Sequence, residues 1–412
     1  MNEKKLEITQ TDLDICIRVL ETIIQQPGIA TSNQTYKRLL QKNRQLAGDI
    51  RKDRKKRKTE TQQPTNIESR DIRSHCYICR LNYDTAHHFY QYMCEECGEF
   101  NMVKRMQTAN LTNKVAIVTG ARIKIGFQTA LKLLRAGCFV IATSRFPVDA
   151  LERYTAEPDF ENWSDRLLIL KADFISRVSV ESLCKTIETQ FQHIDFLINN
   201  AAQTVFRTDD FYAEVLAKEP QQLLTCNDVK AITYEEQVVK VYDKHNQPLD
   251  LRKTNSWVAT LENVSIDELL QVQIINCTVP FLLIQRLTPL MARTNSNQDC
   301  GFIINVSAME GVFDQPNKSS RHPHTNIAKA GLNMQVRTCG KAYLKNHGIA
   351  FNAVDTGFVT NEFPLGHEYY QEQTPLDEVD GSARVLDPIF MAVNTGCITT
   401  GVFFKDYEIA NW

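Results

Sequence analysis

From Lys114 onward the chain repeats one pattern: a short apolar run, then a segment with helical periodicity, then another apolar run. "KVAIVTG" leads into "IGFQTALKLLRAG", and "CFVIATSR" and "RLLILKADF" follow. "VSVESLCKTIETQFQ" precedes "IDFLINNAA", and the long segment "IDELLQVQIINCTVPFLLIQRLTPLM" precedes "GFIINVSAM". "TNIAKAGLNMQVRTCGKAYLKNHG" precedes "IAFNAVDTG". Runs that are apolar throughout need cover on both faces, and strands separated by helices run parallel. The expected fold class is therefore α/β, a doubly wound parallel sheet.

This region leaves more than a hundred residues unexplained, and 412 residues are too many for one ordinary domain. Residues 1–50 read as a helical hairpin: Leu13, Ile17, Leu20 and Ile24 share a helical face behind Thr11, and Tyr36, Leu39, Leu40 and Leu46 share another. Residues 51–72 read as a basic linker, because every residue in 51–58 except Asp53 is basic. The alternative for that run is an anion, nucleic-acid or nuclear-import patch. Residues 73–108 carry two C-x-x-C pairs, Cys76 with Cys79 and Cys94 with Cys97, with fourteen residues between them. Each pair can form a knuckle, and two knuckles supply the tetrahedral four-sulfur shell that Zn²⁺ prefers, in the manner of a zinc ribbon. A redox dithiol is the alternative. Four thiolates close the shell, so His87 and His88 are surplus to it and the metal is structural.

The totals narrow the function classes. Hydrophobic residues are 43%, charged residues 23% and the formal net charge is −2, so any nucleic-acid or membrane role would have to be local. There is no run of about 18 apolar residues. The first residues, "MNEKKLEITQTDLD", lack the apolar core of a signal peptide. Eight of the twelve cysteines are scattered outside the doublets, which suits a reducing compartment. The expectation is a cytoplasmic protein, with a nuclear location as the alternative that the basic run offers.

At the first strand–helix junction, "VTGARIKIGFQ" supplies the tight turn that brings backbone N–H groups and a helix N-terminus against a pyrophosphate, as in Rossmann folds. Here the chain resembles the short-chain dehydrogenase/reductase superfamily. Its T-G-x-x-x-G-x-G pattern is matched by Thr119, Gly120 and Gly126, with Lys124 replacing the middle glycine. "INNAA" resembles the N-N-A-G block, "IIN" places Asn276 at the family's helix asparagine, "IINVSAM" places Ser307 at its serine, and "VDTGFVT" resembles its P-G loop. The resemblance spans residues 112–412. It implies cofactor contacts from Thr119, Gly120, Ile125 and Gly126 in the turn, where Arg122 and Lys124 add positive charge, and from Asn200 and Ala201 after the fourth strand. It adds Asp173, Lys329, Asp355 and Gly357. The second strand ends "IATSR" without a carboxylate for the adenosine ribose, and Arg145, Ser144 and Thr143 could hold a 2′-phosphate. NADP is therefore expected, with NAD as the alternative.

The stretch "HPHTNIAKAGLNM" departs from the family. Lys329 stands where the lysine should, but four residues before it is Thr325 instead of tyrosine. An alcohol's pKa lies several units above a phenol's ~10, so Thr325 cannot shuttle protons near neutrality. The resemblance implies that Ser307 polarises the substrate oxygen, Lys329 holds the ribose and Asn276 anchors a water chain. His324, His322 and Glu310 are the candidates for a replacement acid. An insertion at about 203–265, anchored by Trp257 and containing a hairpin at "EQVVKVYDKHNQPLDL", lies where a lid or partner surface would form. Two functions stay open: an oxidoreductase passing hydride between NADP(H) and a carbonyl or alcohol with a non-standard proton donor, or a catalytically inactive NADP(H)-binding sensor or scaffold. Expected partners are a small-molecule substrate, a protein at the insertion or zinc module, and further copies of the chain.

Overall fold

The computed structural model describes residues 75–207, 209–219, 242–292, 300–315, 318–368, 370 and 373–412. The expected helical hairpin, the basic linker and the middle of the insertion lie outside them. Eight strands form one sheet: β1 Val115–Val118, β2 Phe139–Ser144, β3 Leu167–Lys171, β4 Phe196–Asn199, β5 Gly301–Ser307, β6 Ile349–Asp355, β7 Phe403–Lys405 and β8 Glu408–Ala410. Their order is β3-β2-β1-β4-β5-β6-β7-β8. All neighbours are parallel except β7 and β8. After β3 the chain crosses back to the far side of β1. That reversal between β1 and β4 opens a crevice at the carboxyl ends of the strands, where α/β sheets bind ligands.

Nine α-helices accompany the sheet among the described residues: α1 Glu95–Met106, α2 Lys124–Arg135, α3 Pro147–Thr155, α4 Arg177–Gln190, α5 Asp209–Lys218, α6 Ile266–Gln273, α7 Val279–Met291, α8 Pro323–His347 and α9 Glu378–Thr395. All seven residues of β5 and of β6 are buried, which is why those segments read as mainly apolar runs, broken by Asn305 and Asn352. Ile117, Leu197, Ile303 and Phe351 of the sheet meet Leu283, Leu287 and Val336 of the helices in one core.

Two local features differ from the sequence expectation. The long segment before β5 is two α-helices joined by a π-helical stretch, Ile274–Thr278. By length and composition Ile266–Met291 could cross a membrane; Val272, Leu283, Leu287 and Met291 are buried inside the protein, while Ile266, Leu270 and Phe281 are exposed. The cysteine-rich module has isolated bridges, His75 to Asn82 and Ala86 to Cys94, followed by helix α1, where a ribbon would have strands. This module belongs to the same compact unit as the sheet, Arg70–Asp387 with Thr399–Trp412. The second unit joins Met1–Ser69 to Pro388–Ile398, and its described part is the last half of α9 with the turn after it.

Candidate functional site

Between β1 and α2 the chain turns through Gly120 at φ 66°. A Cβ on Gly126 would lie 2.2 Å from the Gly120 carbonyl oxygen and 2.4 Å from Asn200 Nδ2, so only glycine fits there. Asn200 Nδ2 donates to the carbonyls of Thr119 (2.9 Å) and Gly120 (3.2 Å). Thr119 Oγ1 accepts the backbone N–H groups of Asn200 and Ala201, each at 2.9 Å. These bonds stitch the end of β1 to the end of β4. No side chain caps α2, and its first turn holds no acidic residue. Its orphan N–H groups therefore remain available to an anion. Lys124, at the family's glycine position, takes the left-handed conformation that glycine would, at φ 54°. Its Nζ lies 3.1 Å from Glu362 Oε1. Burial pushes the Glu362 carboxyl up, but Lys124, Thr360 and Arg207 together outweigh it and leave the group below its usual range.

A cleft of about 720 Å³ opens on this turn, walled by Gly120, Arg145, Asp173, Asn200, Glu362 and their neighbours. Its chemistry suits a dinucleotide: an uncapped helix N-terminus, a lysine and an arginine. Two details correct the sequence reading. Arg122 is not a spare positive charge: it donates to Asp149 (2.7 Å) and Gln247 (3.0 Å). The Ser144 hydroxyl serves its own turn, accepting from Phe146 N at 2.9 Å and donating to Phe146 O at 3.1 Å. Arg145 instead rests on the rings of Tyr212 (4.5 Å) and Phe146 (5.1 Å) and pairs with no carboxylate among the described residues. Asp173 Oδ1 accepts Ile175 N at 3.1 Å at the cleft wall. Asp355 ends β6 as a buried carboxyl, pushed up by desolvation, with Lys405 Nζ 3.5 Å away, and Gly357 follows it at φ 77°.

Ser307, at the end of β5, is buried, and its hydroxyl makes only a long 3.5 Å contact to the Lys329 carbonyl. Lys329 Nζ donates to Val306 O at 2.8 Å, one residue from that serine. Burial lowers the ammonium to about 8, against the opposing pull of Glu310 and Asp355. Thr325 lies one helical turn before Lys329, 2% exposed, and its hydroxyl has no partner. Asn276, inside the π-helical stretch, accepts Gln203 N (2.7 Å) and donates to Gln203 O (3.0 Å), locking the strand-four loop to the helix. π-bulges of this kind recur at functional sites. Ser307, Thr325 and Lys329 do not reach the wall of the cleft.

The three replacement acids have other engagements. α8 begins at Pro323, and His322 before it is left-handed at φ 40°. His322 Nδ1 is 2.8 Å from the Trp257 carbonyl, which has no proton to give, so Nδ1 carries the proton. The ring stacks on Trp257 at 4.2 Å, and burial lowers its pKa, which leaves it neutral at pH 7. Trp257 thereby anchors the end of the insertion, as expected. His324 Nε2 lies 3.3 Å from Glu268 Oε1 on α6, within ion-pair reach but off hydrogen-bond geometry. Glu310 is half-buried, and its carbonyl accepts from Lys318. Of the expected hairpin in the insertion, the described part is a bridge from Tyr242 to Pro248 around a turn at Asn246. Glu362 and Glu268 were not singled out in the sequence, and no local motif marks either.

The four sulfurs of Cys76, Cys79, Cys94 and Cys97 lie within 4.8 Å of one another, and Cys79 and Cys94 are 3.9 Å apart. A Zn–S length of about 2.3 Å implies tetrahedral edges of about 3.8 Å, so the thiols fit that ion. All four are free thiols. His87 is not a ligand in waiting. Its Nδ1 accepts the N–H groups of Phe89 and Tyr90, which leaves the proton on Nε2, 3.0 Å from Glu99.

Residues 114–247 match the family model described as short chain dehydrogenase, and residues 212–379 match that described as enoyl-(acyl carrier protein) reductase. An uncharacterized protein of Acanthamoeba polyphaga mimivirus, R665, is 33% identical over 81% of this chain and 74% of its own length. That match is too long to fit within residues 112–412, so it extends into the cysteine module. The 3-oxoacyl-[acyl-carrier-protein] reductase of Synechocystis is 25% identical over 67% of this chain and 90% of its length. Among solved structures, the angucycline C-6 ketoreductase LanV with bound NADP superposes with a TM-score of 0.50, at 20% identity, over 73% of this chain and 96% of that one. A short chain dehydrogenase from Salmonella enterica serovar Typhi gives 0.50 at 15% identity, over 73% and 98%. At these identities the two structures speak for the fold.

Proposed function

Because the chain belongs to the short-chain dehydrogenase/reductase family of NAD(P)-dependent oxidoreductases, we propose that it passes hydride between NADP(H) and a carbonyl or alcohol, with Lys329 in place of tyrosine as the proton donor. The observation that carries this is the buried Lys329, whose ammonium donates to Val306 O one residue from Ser307 and is lowered to about 8, beside a position that holds no phenol. NADP(H) supplies the hydride when bound. The chain does the rest. The uncapped start of α2 and Lys124 neutralise pyrophosphate, and Arg145 takes the 2′-phosphate. Asn200 holds the turn in shape. Ser307 donates to the substrate oxygen, and Lys329 gives up its proton there. Thr325 can orient that oxygen but not protonate it. The four cysteines hold a structural Zn²⁺, with no open position for chemistry.

The neighbours agree in direction: LanV is a ketoreductase solved with NADP, and the Synechocystis relative is a reductase. A second reading, an NADP(H)-binding sensor without turnover, is favoured by the burial of Ser307, Thr325 and Lys329 away from the cleft wall. Calorimetric titration with NADPH and NADH, followed by a panel of carbonyls, separates the two. NADPH should bind more tightly, and Arg145→Ala should cost about 1–3 kcal/mol for NADPH and little for NADH. Equal affinities in the parent protein would refute the cofactor assignment. Tight NADPH binding with no turnover on any carbonyl would favour the sensor.

A further inference from the structure

The cysteine module packs on the cofactor cleft itself. The core behind the thiols joins Cys76, Tyr90, Met93 and Cys97 to Val359 and Leu376, and Ile125 packs against it. Ile125 and Val359 also stand in the cleft wall, one in the phosphate turn and one in the loop after β6. The module thus supports both sides of the site from behind. Its most direct contact is Tyr77, which directly follows Cys76 in the first C-x-x-C pair and whose phenol oxygen accepts the backbone N–H of Phe358 at 2.8 Å. Next to it, Gly357 is wedged at φ 77°: a Cβ there would lie 2.5 Å from Leu376 Cδ1 and 3.2 Å from the Tyr77 oxygen. The module is fixed to the segment after that loop by charge as well. Arg105 makes two bonds to Asp377 (2.6 and 2.9 Å), and Tyr90 donates to Asp380 at 2.6 Å.

We propose that Tyr77 is a positioning residue through which the metal-loaded cysteine cluster holds residues 357–362 in their cofactor-binding conformation, so that affinity for NADP(H) follows metal occupancy. The inference rests on the cofactor and zinc readings given above. The physical argument is one of support. Two of the four thiolates flank Tyr77, and nothing covalent fixes that knuckle once the metal leaves. Small metal sites commonly hold structure that the chain alone does not. The loop then loses its hydrogen-bond acceptor and its apolar backing together.

The test is equilibrium binding, read by NADPH fluorescence on the full chain. Binding of NADPH to the zinc-loaded parent is measured first and bears on the cofactor reading alone. Tyr77→Phe keeps the ring and removes the acceptor. It should retain its zinc, melt within a few degrees of the parent, bind NADPH about fivefold more weakly, as for one hydrogen bond, and bind adenosine 2′,5′-bisphosphate unchanged, since that fragment lacks the nicotinamide half. Chelation should weaken NADPH binding by more than this, zinc should restore it, and Tyr77→Phe should add nothing in the stripped protein. Unaltered NADPH affinity in zinc-loaded Tyr77→Phe overturns the proposal. So does an equal loss for both ligands, which would mark a general structural fault.

Discussion

Thr325 holds a buried hydroxyl with no partner in the protein, which is a poor arrangement unless something arrives to bond it. If that something is a substrate oxygen polarised mainly by Ser307, Thr325→Val should keep most turnover while Ser307→Ala loses roughly 10²-fold, the scale of an oxyanion contact. Steady-state reduction of any accepted carbonyl measures both. Lys329 makes a pH prediction. Its ammonium is lowered by burial to about 8, so it is charged below that pH and neutral above. Reduction, which consumes a proton, should fall as pH rises through about 8. Stability should move the other way: the unfolded lysine stays protonated to near 10.5, so the folded state gains on raising the pH from about 8 to 10.5. The gain, on the order of 3 kcal/mol at most, should vanish in Lys329→Met, and paired thermal melts across that range would detect it. The sequence displayed the missing tyrosine plainly. It could not display that His322 is pinned to Trp257, sixty-five residues earlier, because nothing local in either stretch records that encounter.

At the scale of elements, the first six strands were legible because they are written mainly in apolar residues and, apart from the half-buried edge strand β3, are buried in the sheet. β7 and β8 were not, being three residues each, too short for any periodicity to show. The module's helix α1 was also missed, since "EECGEFNMVKRM" buries only Cys97, Gly98 and Asn101 and carries no apolar stripe. The phosphate turn was legible from its glycines, and its geometry sharpens what they do. Gly126→Ala should destabilise the fold by about 1–3 kcal/mol and remove cofactor binding, as its methyl group would meet the Gly120 carbonyl and Asn200. Lys124→Gly is the contrasting case. Glycine relieves a left-handed backbone, worth up to about 1 kcal/mol, but forfeits the pair with Glu362. Denaturant unfolding should find it near neutral, while NADPH titration should find weaker binding. A large loss of stability would show that the ion pair, and not the backbone, dominates at that position.

At the scale of the whole molecule, the cysteine spacing announced a metal site but not its address. Four thiols close a shell wherever the chain carries them; that they sit behind the cofactor loop depends on Tyr77, Tyr90 and Arg105 meeting residues nearly three hundred positions later. Native protein should contain one zinc per chain by metal analysis. Its removal should lower the melting temperature of the sheet domain by several degrees, because module and sheet share one core. Purified protein without zinc, or with a Cys94–Cys97 disulfide, would refute the assignment. The insertion is likewise tied in: Asn255 donates to Asp250 and to the Glu362 carbonyl, so the segment before α6 and the loop after β6 move as neighbours.

The π-helical stretch at Ile274–Thr278 has a consequence for phase. One extra residue in a helical turn rotates everything before it by about 100° relative to everything after. α7 is therefore aligned to the core, while α6 is aligned to a different neighbour, the first turn of α8, where Gln273 Nε2 meets His324 O at 3.0 Å and Glu268 faces the His324 ring. A single helix with unbroken α geometry could satisfy one of those alignments but not both. Deleting one residue inside 274–278 would straighten the helix, turn Glu268 and Gln273 off α8, and pull Asn276 from both backbone groups of Gln203. The loop after β4 would lose its anchor through a change of rotation alone, with every other side chain still present.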